Sequence, residues 1–232
     1  MTLLIAITIF ALLWGVLAGV FGGLLAAVLA FVAGWIIGLL LVLLFLVAVW
    51  LLVDMEKEQT EEDIQRNNNR ESMFALNGWA SEYFAKYLMG STEGRSVGLS
   101  YFAQKRGFTD ATIRKFGLGF CSADGDAMSM AALSAGYKEE FLLSTGLAFK
   151  RESDGRLRDR FRDRVIFPVH NISGRVVAFG GRTLRTDKSV AKYQNSPESE
   201  IYSKKRELYG LFFAKKAIQQ QNYAIMVEGY TD

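Results

Sequence analysis

The side chains whose types and spacing could do chemistry lie late in this sequence. Four arginines alternate along RDRFRDR, at Arg158, Arg160, Arg162 and Arg164, ahead of the apolar run Val165–Val169. A second apolar run ends in Gly180-Gly181-Arg182, where two glycines permit close backbone approach and an arginine offers a planar fork of donors to phosphate or carboxylate. Downstream, KSVAKYQNSPESE places Lys192, Tyr193 and Asn195 together, and Lys204 opens a further basic triplet. Glu228 follows the apolar segment Tyr223–Val227. A fork, two point charges, a stacking ring and an amide suit a polyanion, and a carboxylate beside them suits a hard cation. Spacing alone equally suits a surface hairpin with solvated arginines and a glycine bulge. The single cysteine, Cys121, and single histidine, His170, exclude an internal disulfide and a Cys/His zinc site; both read as structural.

The elements that must position these residues are readable from periodicity. Val165–Val169 and Arg175–Phe179 are predicted strands, joined through Asn171–Gly174 as a hairpin. Upstream, Met73, Leu76, Trp79, Ala80, Tyr83, Phe84 and Tyr87 recur at three- and four-residue steps, which predicts a helix with one packing face over 54–88, with a possible interruption at Asn67–Asn69. Short helices are predicted from Ser96 to Gly107, over Ala111–Phe116 with a Thr109 or Asp110 cap, over Ala127–Ala135 capped by Asp126, and over Glu139–Ser144. A strand is predicted over Leu118–Cys121. Leu211–Gln220 reads as a helix and Tyr223–Val227 as a strand carrying Glu228 at its C-terminal end, where α/β sheets place their chemistry. The fold class expected for the soluble part is α+β.

Composition divides the chain sharply. Residues 1–53 contain no Asp, Glu, Lys, Arg or His, so every charged side chain lies beyond them. One helix needs about 20 apolar residues to cross the hydrocarbon layer, so this tract is long enough for two transmembrane helices reversing at Gly22-Gly23 or Ala33-Gly34. Gly15, Gly19, Gly34 and Gly38 would let the two approach closely. A cleaved signal peptide fits less well, because the tract has no basic start and far exceeds an apolar core of about 7–15 residues. Residues 150–206 carry 15 basic and 7 acidic groups, with Phe161, Phe167, Phe179 and Tyr193 interleaved, the footprint of a nucleic-acid partner or of a solvated basic face.

In combination, several segments resemble one family. These are Tyr101-Phe102 with Arg106-Gly107-Phe108, Phe116-Gly117-Leu118-Gly119-Phe120, RFRDRVIFPVHNISGRVVAFGGR, KYQNSPES, IYSKKRELYG and VEGYTD. Together they resemble the bacterial replicative DNA primases over roughly Glu56–Asp232. The resemblance implies the N-terminal part of an RNA polymerase core, followed by the opening motif of a Toprim metal-binding domain. It implies a nucleotidyltransferase that makes RNA primers on DNA during replication. It further implies that Glu228 is catalytic and binds Mg2+ or Mn2+, and that Arg182, Lys192, Asn195 and Lys204 hold template and nucleotide; Arg160, Arg162 and Tyr193 are added as nucleic-acid-binding candidates from the basic, aromatic run. Implied partners are single-stranded DNA, ribonucleoside triphosphates and, within a primosome, the replicative helicase, in the cytoplasm; the apolar tract, which departs from the family, adds the expectation of an inner-membrane anchor. The expected organisation is a membrane hairpin (1–53), a polar to amphipathic helical linker (54–90), the primase core subdomain (91–221) and the start of a Toprim domain (222–232). Two family features are missing from these residues: the Cys/His zinc module and the acidic motifs that complete the metal site. The alternative function is therefore a membrane-tethered single-stranded nucleic-acid-binding module without catalysis.

Overall fold

The computed structural model describes the backbone of residues 2–186 and 190–231, and the side chains of those residues apart from 2–4, 6, 17–22, 24–27 and 55–60. The start of the Lys188–Glu200 loop and Asp232 lie outside the described residues. Two compact units are present, 1–65 and 66–232. The first helix, α1 (Thr2–Gly90), contributes to both, with a left-handed residue at Gly23 (φ 77°).

In the first unit, a methyl placed on Gly38 would lie 2.9 Å from Ile7 Cγ2, one on Gly34 3.7 Å from Ala11 Cα, and one on Gly15 3.4 Å from Phe31 Cδ2. The paired residue numbers converge on a midpoint at positions 22–23, where Gly23 adopts the conformation a side chain would strain. The tract thus folds back there, one of the two reversals the sequence allowed, and Gly15, Gly34 and Gly38 line the crossing. Gly19 lies outside the described side chains. Among the described residues one helix, Val28–Asp54 with 27 residues, is long and apolar enough to cross a membrane; the facing apolar run Ile7–Val16 is shorter. Two full crossings are therefore not shown.

The second unit is built on one face of α1. Met73, Leu76, Ala80, Phe84 and Leu88 are buried at helical spacing, as the sequence pattern predicts, and Trp79, Tyr83 and Tyr87 border them. Each such large side chain contributes about 2–3 kcal/mol by leaving water. Asn67–Asn69 does not interrupt the helix. Bidentate contacts of 2.7 Å from Arg175 to Glu71, with the Arg175 guanidinium 3.6 Å over the Phe74 ring, fasten α1 to the sheet.

Two π-helical turns, Gly94–Leu99 and Tyr101–Lys105, follow where a regular helix was predicted. The wider turn lets Arg95 donate to the terminal carbonyls of α1 at Met89 and Gly90 (3.2 and 3.1 Å). Helix α2 (Asp110–Lys115) starts at Thr109, whose hydroxyl accepts the Thr112 amide as predicted. Strand β1 (Gly119–Cys121), α3 (Ala127–Ser134), α4 (Glu139–Ser144) and the hairpin β2 (Ala148–Lys150) and β3 (Leu157–Asp159) come next. Asp126 precedes α3 but does not cap it through its side chain. The buried Asp159 of β3 reaches back instead, accepting the amides of Met128 (2.8 Å) and Ser129 (2.9 Å) and the Ser129 hydroxyl. A long-range carboxylate outcompetes the local one because burial strengthens its charge-assisted bonds.

The central sheet, formed by β1 with β4 (Arg164–His170), β5 (Val176–Thr183) and β6 (Tyr193–Asn195), has the order β1-β4-β5-β6, with all three pairings antiparallel. Strands β4 and β5 form the predicted hairpin, closed by the Asn171 side chain accepting the amides of Ser173 and Arg175 at 3.1 and 2.9 Å. Strand β6 is the edge. Helix α5 (Leu211–Gln221) follows Gly210. The expected strand over Tyr223–Val227 is absent: no described strand pairs with it, and Ile225 and Met226 are 81% and 80% exposed. An isolated strand leaves its amides and carbonyls to water and gains no ladder, so apolar pattern alone does not form one.

Candidate nucleic-acid interface

The pairing of β5 with β6 does most of the assembly. Its register sets Arg182 opposite Tyr193, Gly181 opposite Gln194 and Gly180 opposite Asn195. Residues some ten positions apart in sequence thereby share one sheet edge. The loop before β6 is held from beneath by Arg164, a buried arginine whose guanidinium donates to the carbonyls of Gly181 (3.4 Å), Ala191 (2.9 Å) and Lys192 (3.2 Å). The Thr183 amide also bonds the Lys192 carbonyl, at 3.0 Å. With its backbone tied down, Lys192 leaves its side chain exposed, the ammonium 5.9 Å from the centre of the Tyr193 ring.

Arg182 lies between two rings, 5.0 Å from the centre of Tyr101 and 5.6 Å from that of Tyr193. One of its terminal nitrogens donates to the Tyr101 hydroxyl, which also accepts Arg106 Nε at 2.9 Å. The Arg182 Nε is buried with no hydrogen-bond partner among the described residues. Tyr193 remains 38% exposed. The result is a half-open platform in which buried Tyr101 fixes Arg182 from within and the exposed Tyr193 ring is available for a base to stack on, bordered by cations that attract phosphates.

The two glycines serve a different purpose from the close ligand approach their spacing suggested. A methyl on Gly180 would lie 2.5 Å from Tyr230 Cζ, and one on Gly181 2.7 Å from Phe161 and 3.0 Å from Arg164. Both are filled from within the chain. Tyr230 lies over Gly180, stacked on Phe167 (5.0 Å, 8°), edge-on to Tyr209 (4.7 Å) and 6.2 Å from Tyr193, and its hydroxyl donates to Asn195 Oδ1 at 2.9 Å. Burial pushes the Tyr230 hydroxyl up to about 12.

The other residues singled out from the sequence are more dispersed. Arg160 is occupied, donating Nε to the Gly146 carbonyl at 2.6 Å, and Arg158 meets Asp126 at 3.3 Å. With Arg164 buried beneath the sheet, only Arg162 of the alternating four presents an exposed side chain. The basic run is therefore largely structural: Arg158 and Arg160 are engaged within the chain and Arg164 is buried. Lys204 is exposed in the turn after Tyr202, its amide donating to Glu198 at 2.9 Å, and no described contact links it to the platform. Glu228 is exposed. Among the described residues no group of three His, Cys, Asp or Glu side chains could hold a metal ion. A hard divalent cation takes about six oxygen ligands, so a lone exposed carboxylate does not fit one.

The family described as the DNA primase catalytic core, N-terminal domain, matches residues 83–215, which hold the platform and the sheet that carries it. The chain belongs to the DNA primase catalytic-core family. A DNA primase of Halalkalibacterium halodurans is 40% identical over 175 residues, covering 75% of this chain and 28% of the relative. A DNA primase of Pseudomonas putida is 35% identical over 181 residues, covering 78% and 27%. This chain thus spans less than a third of the curated relatives' length. Among solved structures, the RNA polymerase domain of Mycobacterium tuberculosis primase DnaG is similar at TM-score 0.64 and 33% identity, covering 69% of this chain and 51% of that one. The same domain has been solved with double-stranded DNA, and a DnaG primase catalytic domain bound to single-stranded DNA matches at TM-score 0.57 and 32% identity, covering 71% and 51%. The resemblance drawn from sequence motifs is confirmed, as is the mixed α/β primase-core fold. Sequence reading assigned no role to Tyr101, Arg106 or Tyr230; the quoted primase motifs contained all three, and only strand register shows what they join.

Proposed function

We propose that this chain supplies the template-holding part of a primase catalytic core, in an enzyme that makes RNA primers on single-stranded DNA from ribonucleoside triphosphates. The observation that carries this reading is the Tyr101–Arg182–Tyr193 platform with Lys192 at its border, on a subdomain whose relatives are primases. Arg182 and Lys192 attract the phosphates, Tyr193 stacks a base, and Asn195 keeps its amide nitrogen for a hydrogen bond while its oxygen receives Tyr230. Arg162 and Lys204 extend the positive field, and Arg160 shapes the groove wall. Glu228 is the carboxylate assigned to the chemistry, in a Toprim domain that opens at 222. Its divalent metal, and a replicative helicase within a primosome, belong to the complete enzyme, in the cytoplasm.

A domain exchange tests the catalytic part. Residues 83–232 replace their counterpart in the Halalkalibacterium halodurans primase, and primer synthesis is measured. The chimera makes primers, and Glu228→Gln lowers synthesis by at least about a hundredfold without weakening DNA binding. Full activity of that variant removes Glu228 from the chemistry.

A second reading draws on Val28–Asp54 and on the shortage of clustered carboxylates: a membrane-tethered nucleic-acid-binding module without catalysis. In both readings 1–53 forms a helical hairpin anchored in the inner membrane. An inactive chimera that still binds single-stranded DNA favours the second.

A further inference from the structure

Tyr230 stands two residues beyond Glu228, at the end of a segment whose side chains are exposed. Tyr223, Ile225, Met226 and Val227 are all more than half exposed, and no regular structure forms between α5 and Tyr230. Against that background Tyr230 is fastened on every side: Phe167 stacked beneath, Tyr209 edge-on, Asn195 accepting its hydroxyl, and Gly180 with no side chain where the ring must lie. Each of those partners lies on the sheet or beside it. Gly180 and Asn195 face each other in the β5–β6 register, so the ring docks on the same edge that presents Arg182 and Tyr193.

We propose that Tyr230 is a positioning residue, a strut that holds the Glu228 carboxylate beside the platform. The inference rests on the reading of the β5–β6 edge as a nucleic-acid interface. Two residues of chain span at most about 7 Å, so a docked Tyr230 confines Glu228 to the neighbourhood of Asn195 and Tyr193. A carboxylate confined there repels the phosphates that Arg182 and Lys192 attract, and one on a released segment does not. Tyr230 therefore controls how strongly Glu228 is felt by bound DNA.

A double-mutant cycle on the full chain in detergent reads this coupling through affinity for a fluorescent oligothymidylate at low salt. Glu228→Gln should tighten binding about threefold in the otherwise unchanged chain, a typical size for one partly screened charge, and should have no effect beside Tyr230→Ala. Tyr230→Phe keeps the stacked ring, loses the bond to Asn195 and should fall between. The same gain from Glu228→Gln in both backgrounds overturns the strut. A nitroxide on Val227→Cys supplies a readout that needs no DNA; buried Cys121 does not compete for the label. Its motion should be restricted with Tyr230 and freed by Tyr230→Ala, and unchanged motion overturns the proposal. A chain that binds no oligothymidylate defeats the nucleic-acid reading, and the nitroxide result then decides the strut alone.

Discussion

Gly180 and Gly181 are neighbours in sequence but admit different partners, and substitution separates them. A Gly180→Ala methyl meets the Tyr230 ring, which lies on an exposed segment free to leave, so the protein should lose the Tyr230 dock and little stability. A Gly181→Ala methyl meets Phe161, which is fully buried, and Arg164, which is pinned by three carbonyls. Overpacking there should cost about 1–3 kcal/mol, read as a lower denaturation midpoint. Equal destabilisation by both would contradict this assignment of neighbours. Sequence spacing located the glycines as a place of close approach but not what approaches, because Tyr230 lies some fifty positions away and Arg164 looked like one more surface charge.

Helix α5 is held chiefly through aromatic contacts with the end of β4. His170 stacks on Phe212 (6.0 Å) and meets Phe213 edge-on (5.0 Å), Phe213 also contacts Phe116, and Lys215 donates to the Ile172 carbonyl at 2.8 Å with its ammonium 4.6 Å over Phe212. Burial lowers the His170 pKa below its usual 6.5. A depressed histidine favours the neutral form in the folded chain. Its stabilisation is present above about pH 6.5 and is lost as pH falls through the lower folded value. The protection of α5 amides, measured relative to their slower intrinsic exchange in acid, should therefore fall on acidification below about pH 6.5, and His170→Phe should remove that dependence; pH-independent protection of α5 would contradict it. The hairpin, α2, α4 and α5 were legible because turn chemistry, caps and periodicity act locally. The Asp159 cap and the missing strand at 223–227 were not, since each is decided by a partner distant in sequence, and the π-helical turns were not because their wider turn has no signature in residue periodicity.

At the scale of the whole chain, the uncharged residues 1–53 and the primase unit have opposite demands on their surroundings. Trp50, Leu51, Leu52 and a long series of Leu, Ile and Val side chains before them are exposed, an arrangement that water penalises and a hydrocarbon layer does not. The full chain should sediment with membranes and leave them only in detergent, whereas 66–232, with its own buried core, should remain soluble; a monodisperse, detergent-free full chain would remove the anchor. The composition break at Asp54 marks in the sequence where the uncharged tract ends, eleven residues before the boundary between the two compact units, and the family motifs made the primase visible. Which basic residues face a ligand was hidden, because that depends on the β5–β6 register. The most direct measurement is a salt titration of oligothymidylate binding by 66–232, comparing the unchanged protein with Arg182→Ala/Lys192→Ala. Each phosphate contact on a single strand contributes about 0.7 to the slope of log affinity against log salt, so losing two should reduce that slope by about 1.4 and weaken binding at low salt. An unchanged slope and affinity in the double variant would show that the β5–β6 edge is not where the nucleic acid binds.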